Sequence, residues 1–361
     1  MILLNPGPVT LTTKVRQALQ REDLCHREPE FAELTLDIRR RLETVYSGAG
    51  ETRAAVLLTG SGTAAVEAML ATFASPQRPT LVAANGIYGE RMALMLERQR
   101  KPFIMIQAPW HAPIDLEKIN IALKVNTEVA AVAVVHHETT TGRLNWLDEL
   151  AALCCERQLD LLVDAVSSFG GEALRIDEWQ PLAVASSASK CLHGAPGVSF
   201  VLADRQALGR SRGYSTSLYL DLEHHYAEQV HGWSPFTQAI HVCLALKEAL
   251  LELAEGGGWL ARRERYRFIS HTIRETLQEV GVEPLLRTEE TSSVLTAFRL
   301  PAGDHYDRIH EELKNRGFVI YAGQRELRTT IFRIANMGAI GDNDLTRLVA
   351  ALRSTFHGLH Q

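Results

Sequence analysis

The stretch Ser186-Ser187-Ala188-Ser189-Lys190-Cys191-Leu192-His193-Gly194 sets a lysine between small hydroxyl residues and a glycine-rich segment, Gly194-Ala195-Pro196-Gly197. Before it, Leu182-Ala183-Val184-Ala185 suits a buried strand, and beyond it Val198-Ser199-Phe200-Val201-Leu202 reads as the next. A lysine delivered between two buried strands, with only small neighbours, is desolvated and held close to a flat ligand. Such a setting favours the neutral amine that attacks a carbonyl to form a Schiff base. On this stretch alone a surface lysine in a polar loop is the simpler reading. What reverses it lies upstream.

Ala54-Ala55-Val56-Leu57-Leu58-Thr59 reads as a buried strand running into Gly60-Ser61-Gly62-Thr63 and then a helix from Ala64 to about Phe73. A glycine-rich turn there leaves free amides at a helix N-terminus, and the Ser61 and Thr63 hydroxyls can help hold a phosphate. The turn has neither the lysine of a nucleotide P-loop nor the GxGxxG of a dinucleotide fingerprint, so it points to a single phosphate; a plain tight turn competes. Thr80-Leu81-Val82-Ala83-Ala84 is the next strand, with Tyr88 just past its end and a helix from about Glu90 to Gln99. Tyr88 is placed to stack on a flat ring, although a lone aromatic is more often core.

Phe103 to Gln107 is a short strand, and Val129 to Val135 a strongly apolar one that stops at His136-His137-Glu138-Thr139-Thr140-Thr141-Gly142. Three threonines and a glycine at a strand end resemble a ligand loop. The two histidines lack partners at metal spacing and read as structural or as supports behind the site rather than as metal ligands, so no metal site is expected. A helix from about Trp146 to Arg157 leads to Leu159-Asp160-Leu161-Leu162-Val163-Asp164. Asp164 ends a wholly buried strand, where an unpaired carboxylate is costly. A protonated pyridine nitrogen would be a fitting cationic partner. A capping aspartate that begins a turn is the competitor.

Strand–helix alternation with apolar strands argues for an α/β fold, a mainly parallel sheet covered on both faces. Ligands then bind at the strands' C-terminal ends. GSGT, GIYG, ETTTG, Asp164 and Lys190 all fall just after predicted strands. Their convergence carries more weight than any one of them.

After Asp204 the pattern becomes helical and polar. Trp233-Ser234-Pro235-Phe236-Thr237-Gln238 precedes a long amphipathic helix, about Ala239 to Glu255, which Gly256-Gly257-Gly258 punctuates. A helix from about Leu260 to Val280 follows. The remainder reads as α+β: strands at Ser293 to Arg299, Val319-Ile320-Tyr321 and Ile331 to Ile334, and helices at Tyr306 to Arg316 and Asp342 to Phe356. Arg333 alternates with apolar neighbours; facing inward it needs either an anionic ligand or a structural salt bridge. We expect an N-terminal arm over residues 1–15, a large domain over 16–256 and a smaller C-terminal domain over 257–361.

At 361 residues, 46% hydrophobic and 22% charged, the chain is long enough for about two domains of ordinary globular composition. A net charge of −5 offers no global field for nucleic acid or an anionic membrane. No apolar run approaches the ~18 residues of a membrane span. The five cysteines show no zinc spacing, and their number is odd, which fits a reduced, cytoplasmic protein.

Together these residues resemble a fold-type I, class V pyridoxal-phosphate aminotransferase, and more narrowly the 2-aminoethylphosphonate aminotransferases. The likeness runs nearly end to end: NPGP, GSGTAAVEAM, NGIYGERM, VVHHETTTGRLN, VDAVSSFGG, SSASKCLHGAPGVSF, GFVIYAG and FRIANMG. It implies a seven-stranded sheet in the large domain and an exchange of an amino group between 2-aminoethylphosphonate and pyruvate, ping-pong through pyridoxamine phosphate. By position, Lys190 would be the Schiff-base lysine and proton carrier, and Asp164 the partner of the pyridinium nitrogen. Ser61, Gly62 and Thr63 would hold the cofactor phosphate, Tyr88 would stack on the ring, and Thr139 would lie near the ring oxygen, with Thr141 its rival. Val166 and Ser189 would line the cofactor. Thr237 would reach the phosphate of the neighbouring subunit, which implies a homodimer. Arg333, with Asn5 and Gly7, would meet the substrate. The segment Cys25-His26-Arg27-Glu28-Pro29-Glu30-Phe31, Ala322, and Ser234-Pro235-Phe236 depart from the usual pattern and leave the donor open. An alanine–glyoxylate or serine–pyruvate aminotransferase, or one acting on a related aminoalkylphosphonate, is the alternative; a cysteine desulfurase or a non-catalytic relative fits less well.

Overall fold

The computed structural model describes residues 1–46, 52–210 and 213–356. The strands in chain order are β1 (Ile2–Leu3), β2 (Arg53–Gly60), β3 (Thr80–Ala84), β4 (Phe103–Gln107), β5 (Ala131–Val135), β6 (His137–Glu138) and β7 (Arg143–Leu144). They continue as β8 (Asp160–Asp164), β9 (Ala183–Ser187), β10 (Gly197–Asp204), β11 (Leu295–Arg299), β12 (Phe318–Val319), β13 (Tyr321–Ala322) and β14 (Ile331–Ala335).

Seven of them build one sheet in the order β2-β10-β9-β8-β5-β3-β4. Helical crossovers make the β4-β3-β5-β8-β9 pairings parallel. β10 alone runs antiparallel to both of its neighbours. The cause is length: only residues 188–196 separate β9 from β10, too few for a crossover, so the chain must turn back. That turn carries Lys190. Two reversals leave β2 parallel to β9, so the C-terminal ends of β2, β3, β5, β8 and β9 share one edge of the sheet.

The central strands have no polar face to give water: all five residues of β3 and of β5 are buried. One face is covered by helices Pro29–Glu43 and Ile240–Glu255, around Leu34, Ile38, Val163, Phe200 and Leu250. Helices Gly62–Phe73 and Ile87–Arg98 cover the other, around Met69, Val82 and Met92. The edge strand β4 is half wet, with Met105 exposed.

A second, antiparallel sheet, β11-β14-β13, packs against helices Gly258–Glu279, Tyr306–Asn315 and Asp342–Phe356. Its core stacks Phe298 on Phe332 and Phe332 on Phe356, with ring centroids 5.5 and 5.8 Å apart. The N-terminus joins this region: β1 pairs with β12, and the Leu4 carbonyl accepts from the Ala335 amide at 2.7 Å. This threading carries Pro6 and Gly7 towards Lys190.

The strands and helices named from sequence are present, with two local differences, while β1, the β6–β7 pair and helices Leu116–Val125 and Ile176–Trp179 are not read there. The single strand expected over Val319-Ile320-Tyr321 is two short ones, because β12 pairs with β1 and β13 with β14, while Ile320 between them is buried. The helix expected from Glu90 starts at Ile87, so Tyr88 stands in its first turn.

Candidate active site

Lys190 occupies the tight β9–β10 turn, where its Nζ donates to the Pro6 carbonyl. Burial pushes its amine down to about 8; Cys191 and Asp164 oppose the shift, while Arg333 and Arg91 reinforce it. Gly7 lies against it. A Cβ on Gly7 would stand 2.6 Å from Lys190 Nζ, and φ of 115° there favours glycine for a second reason. Asn5 donates through Nδ2 to the Pro8 carbonyl at 2.9 Å and so shapes the same turn.

Asp164, at the end of β8, is 6% exposed. Its Oδ1 accepts from the Val166 amide at 2.9 Å. Among the described residues it forms no ion pair, and none donates to Oδ2. Burial pushes the carboxyl up to about 6, eased by the Val166 amide and by the Arg91 and Lys190 charges. A buried carboxylate without a cationic partner is costly.

Ser61 is the N-cap of helix Gly62–Phe73, yet its side chain caps nothing. The first helical bond comes from the Ala64 amide, so the amides of Gly62 and Thr63 stay available at the positive helix end. A Cβ on Gly62 would lie 2.6 Å from Val166 Cγ1 and 3.3 Å from Ser187 Cβ. The Ser187 and Ser189 hydroxyls are in turn 3.2 Å apart. The β2, β8 and β9 ends thus converge within one or two side chains.

Across the pocket, Arg91 donates from Nη1 to Thr63 Oγ1 at 3.4 Å, with its guanidinium 4.8 Å over the Tyr88 ring. Sequence reading missed Arg91. The signal was its position three residues after Tyr88, which places the two on one helix face, and it becomes visible only once the helix begins at Ile87.

The three threonines after Glu138 separate cleanly. Thr140 Oγ1 donates to Glu138 Oε1 at 2.6 Å, and Thr141 Oγ1 donates to the Trp110 carbonyl at 3.2 Å. Thr139 Oγ1 is buried with no partner, so Thr139 rather than Thr141 has a hydroxyl to offer. Arg333, 3% exposed on β14, donates through Nη1 to the Thr139 carbonyl (2.8 Å) and to Gln324 Oε1 (3.3 Å), and through Nε to the Ala322 carbonyl (2.9 Å). Among the described residues it has no ion-pair partner within 4 Å, so the structural salt bridge weighed as its alternative is not formed.

The histidines are structural. His137 Nδ1 faces the Ser167 carbonyl at 2.9 Å and must carry its proton, so Nε2 accepts from the Ser292 hydroxyl at 2.7 Å. Burial pushes His137 down to about 4 and His136 to about 3, which keeps both neutral. Among the described residues no group of three His, Cys, Asp or Glu side chains is arranged to hold a metal. Thr237 is exposed, and no described residue hydrogen-bonds to its side chain; its neighbours Gln238 and Ala239 bond to Thr59 at the end of β2.

This donor set suits pyridoxal phosphate: an amine shifted towards neutrality, an unpaired carboxylate for the ring nitrogen, an orphaned hydroxyl, and free amides with a cation for the phosphate.

Residues 14–340 match the family model for class V aminotransferases. The chain is 36% identical to a 2-aminoethylphosphonate–pyruvate transaminase of Bacillus mycoides, over 97% of this chain and 96% of the relative. It is 35% identical to one of Phocaeicola vulgatus, over 98% of each. Among solved structures, an aspartate aminotransferase of subgroup IV from Thermus thermophilus superposes with a TM-score of 0.91 at 28% identity, covering 99% of this chain and 100% of that one. An alanine–glyoxylate aminotransferase from Nostoc sp. gives the same score and identity over 98% and 94%. With a lysine, an aspartate and a phosphate-binding turn gathered at one sheet edge, the chain belongs to the class V aminotransferases, enzymes that depend on pyridoxal phosphate.

Proposed function

We propose that the enzyme moves an amino group reversibly between 2-aminoethylphosphonate and pyruvate, giving phosphonoacetaldehyde and L-alanine. The observation that carries the reading is Arg333, a buried guanidinium that has no carboxylate partner among the described residues and lies within electrostatic range of Lys190. Both substrates are a small reacting carbon joined to an acidic group, phosphonate in one and carboxylate in the other, and one arginine can receive either. The relatives named for this exchange match over nearly the whole chain.

When bound, pyridoxal phosphate supplies the aldehyde that takes up the donor's nitrogen and the ring that accepts the electron pair at the adjoining carbon. Lys190 Nζ would hold the cofactor through its aldehyde and carry the proton taken from the donor carbon. Asp164 would pair with the ring nitrogen. The Gly62 and Thr63 amides, the Ser61 and Thr63 hydroxyls and Arg91 would hold the phosphate, and Val166 and Ser189 would line the pocket. Tyr88 would cover the ring, and the Thr139 hydroxyl would serve its oxygen. Gly7 keeps Lys190 close and Asn5 holds that turn. We read the chain as a large domain ending near Gly256–Gly258, a small domain after it, and an N-terminal arm over residues 1–15. Thr237, exposed and with no side-chain hydrogen bond among the described residues, suits a homodimer with shared sites. The free cysteines and the lack of any helix, among the described residues, long and apolar enough to cross a membrane are consistent with a cytoplasmic enzyme.

The test is purified enzyme with 2-aminoethylphosphonate and pyruvate, with alanine and aldehyde measured together. Equal amounts of the two products are expected. Alanine formed from L-serine but not from the phosphonate would move the donor to an amino acid and keep the aminotransferase. No product from any donor would overturn the enzyme reading.

A further inference from the structure

The proposed function leaves one fully buried carboxylate without a task. Glu138, on β6, is 0% exposed and, among the described residues, pairs with no cation within 4 Å. Its Oε2 accepts from the amides of Tyr88 and Gly89 at 3.3 and 3.4 Å. Its Oε1 accepts from the Thr140 amide at 3.2 Å and the Thr140 hydroxyl at 2.6 Å. The same hydroxyl accepts from the Ile87 amide at 3.1 Å.

Ile87, Tyr88 and Gly89 are the first three residues of helix Ile87–Arg98, whose amides have no partner inside the helix. The helix's own N-cap is Gly86, which has no side chain to help. Glycine is required there, because a Cβ would sit 2.2 Å from Glu138 Cδ. The carboxylate thus takes the place of a cap from β6, some fifty residues away, at the end of the helix where negative charge is favoured. Burial pushes the carboxyl up to about 7, eased chiefly by its Thr140 and Gly89 hydrogen bonds.

Two features of the site stand on this helix's first turn and just past it: the Tyr88 ring and the Arg91 guanidinium stacked on it. We propose that Glu138 is a positioning residue that caps the Tyr88 helix from a distance and so fixes the aromatic cover of the cofactor ring. The proposal rests on the reading of Tyr88 as that cover.

The test is a double-mutant cycle on the dissociation constant of pyridoxal phosphate, measured by equilibrium dialysis on folded, cofactor-stripped protein, with far-UV circular dichroism confirming the fold. Glu138→Gln keeps the shape but turns an NH2 towards amides that need an acceptor. Glu138→Gln and Tyr88→Ala should each weaken cofactor binding about tenfold. If Glu138 acts through Tyr88, the double variant should bind hardly more weakly than Tyr88→Ala alone. Unchanged binding in Tyr88→Ala would overturn the cover reading and the proposal with it. Weakened Tyr88→Ala beside an unaffected Glu138→Gln, or two losses that multiply fully, would overturn the proposal alone. Should Glu138→Gln not fold, Thr140→Val replaces it in the cycle, since it removes the hydroxyl that bridges the carboxylate to the Ile87 amide.

Discussion

Arg333 donates from Nη1 to the carbonyl of Thr139 at 2.8 Å, across 194 residues of chain. The contact ties the small antiparallel sheet to the loop after β5, so the cation and the free Thr139 hydroxyl form one wall of the pocket. Replacing Arg333 by Ala removes the charge and leaves two carbonyls without a donor. We expect kcat/KM for both acidic substrates to fall by roughly 10²-fold, about 3 kcal/mol. Lysine should rescue only part of this, because it lacks the planar fork that reaches Thr139 and Ala322 together. Steady-state kinetics with each substrate varied in turn decides the matter; an unchanged KM for both would remove Arg333 from the substrate site.

Lys190 should react as an unusual lysine in the cofactor-free enzyme. Burial holds its amine near 8, below the ordinary value, so the neutral form grows in as pH rises through about 8. Competitive labelling with an amine-acylating reagent, read by mass spectrometry, should show its reactivity levelling above that pH. Surface lysines continue to gain towards ~10. A Lys190 that titrates with the surface set would mean that the turn is open to water.

How much of this was legible beforehand follows from range. Lys190, Asp164 and the Ser61-Gly62-Thr63 turn were readable because strand, turn and ligand residue lie within a few positions of each other. The sheet's one reversed strand was implicit in the short connection at 188–196, which forbids a crossover. The contact of Lys190 with the Pro6 carbonyl spans 184 residues and leaves no local periodicity to read. Arg91 was hidden by a helix start placed three residues late. That start depends on Glu138, a capping group that no window around Gly86 contains. Glu138 itself was visible only as part of a threonine-rich loop, and its burial decides that it supports the site rather than lining it.

Asp164 should cost the cofactor-free fold stability. Its folded-state pKa of about 6 lies above that of a free carboxyl, so the folded chain holds the proton more tightly than the unfolded one. That contribution is fully present below about pH 4 and is lost as pH rises through about 6. Asp164→Asn should therefore raise the melting temperature of the cofactor-free protein at pH 8, by a gain on the order of 3 kcal/mol, and change it little at pH 4. The same variant should lose most of its transaminase activity. Equal melting curves at both pH values would show that the carboxylate is already neutralised in the empty pocket.

Gly7 offers the sharpest steric test. A Cβ there would meet Lys190 Nζ at 2.6 Å and Cδ at 2.7 Å, and the backbone φ of 115° already disfavours alanine. The turn cannot retreat freely, because the Asn5 side chain holds the Pro8 carbonyl and β1 anchors the segment to β12. Gly7→Ala should therefore push the lysine from its place rather than move the arm. The expected result is a folded protein with β1 intact whose cofactor is bound but no longer fully captured by Lys190. Borohydride reduction followed by mass spectrometry measures that capture directly, and stoichiometric labelling of Lys190 in Gly7→Ala would show that the arm yields instead.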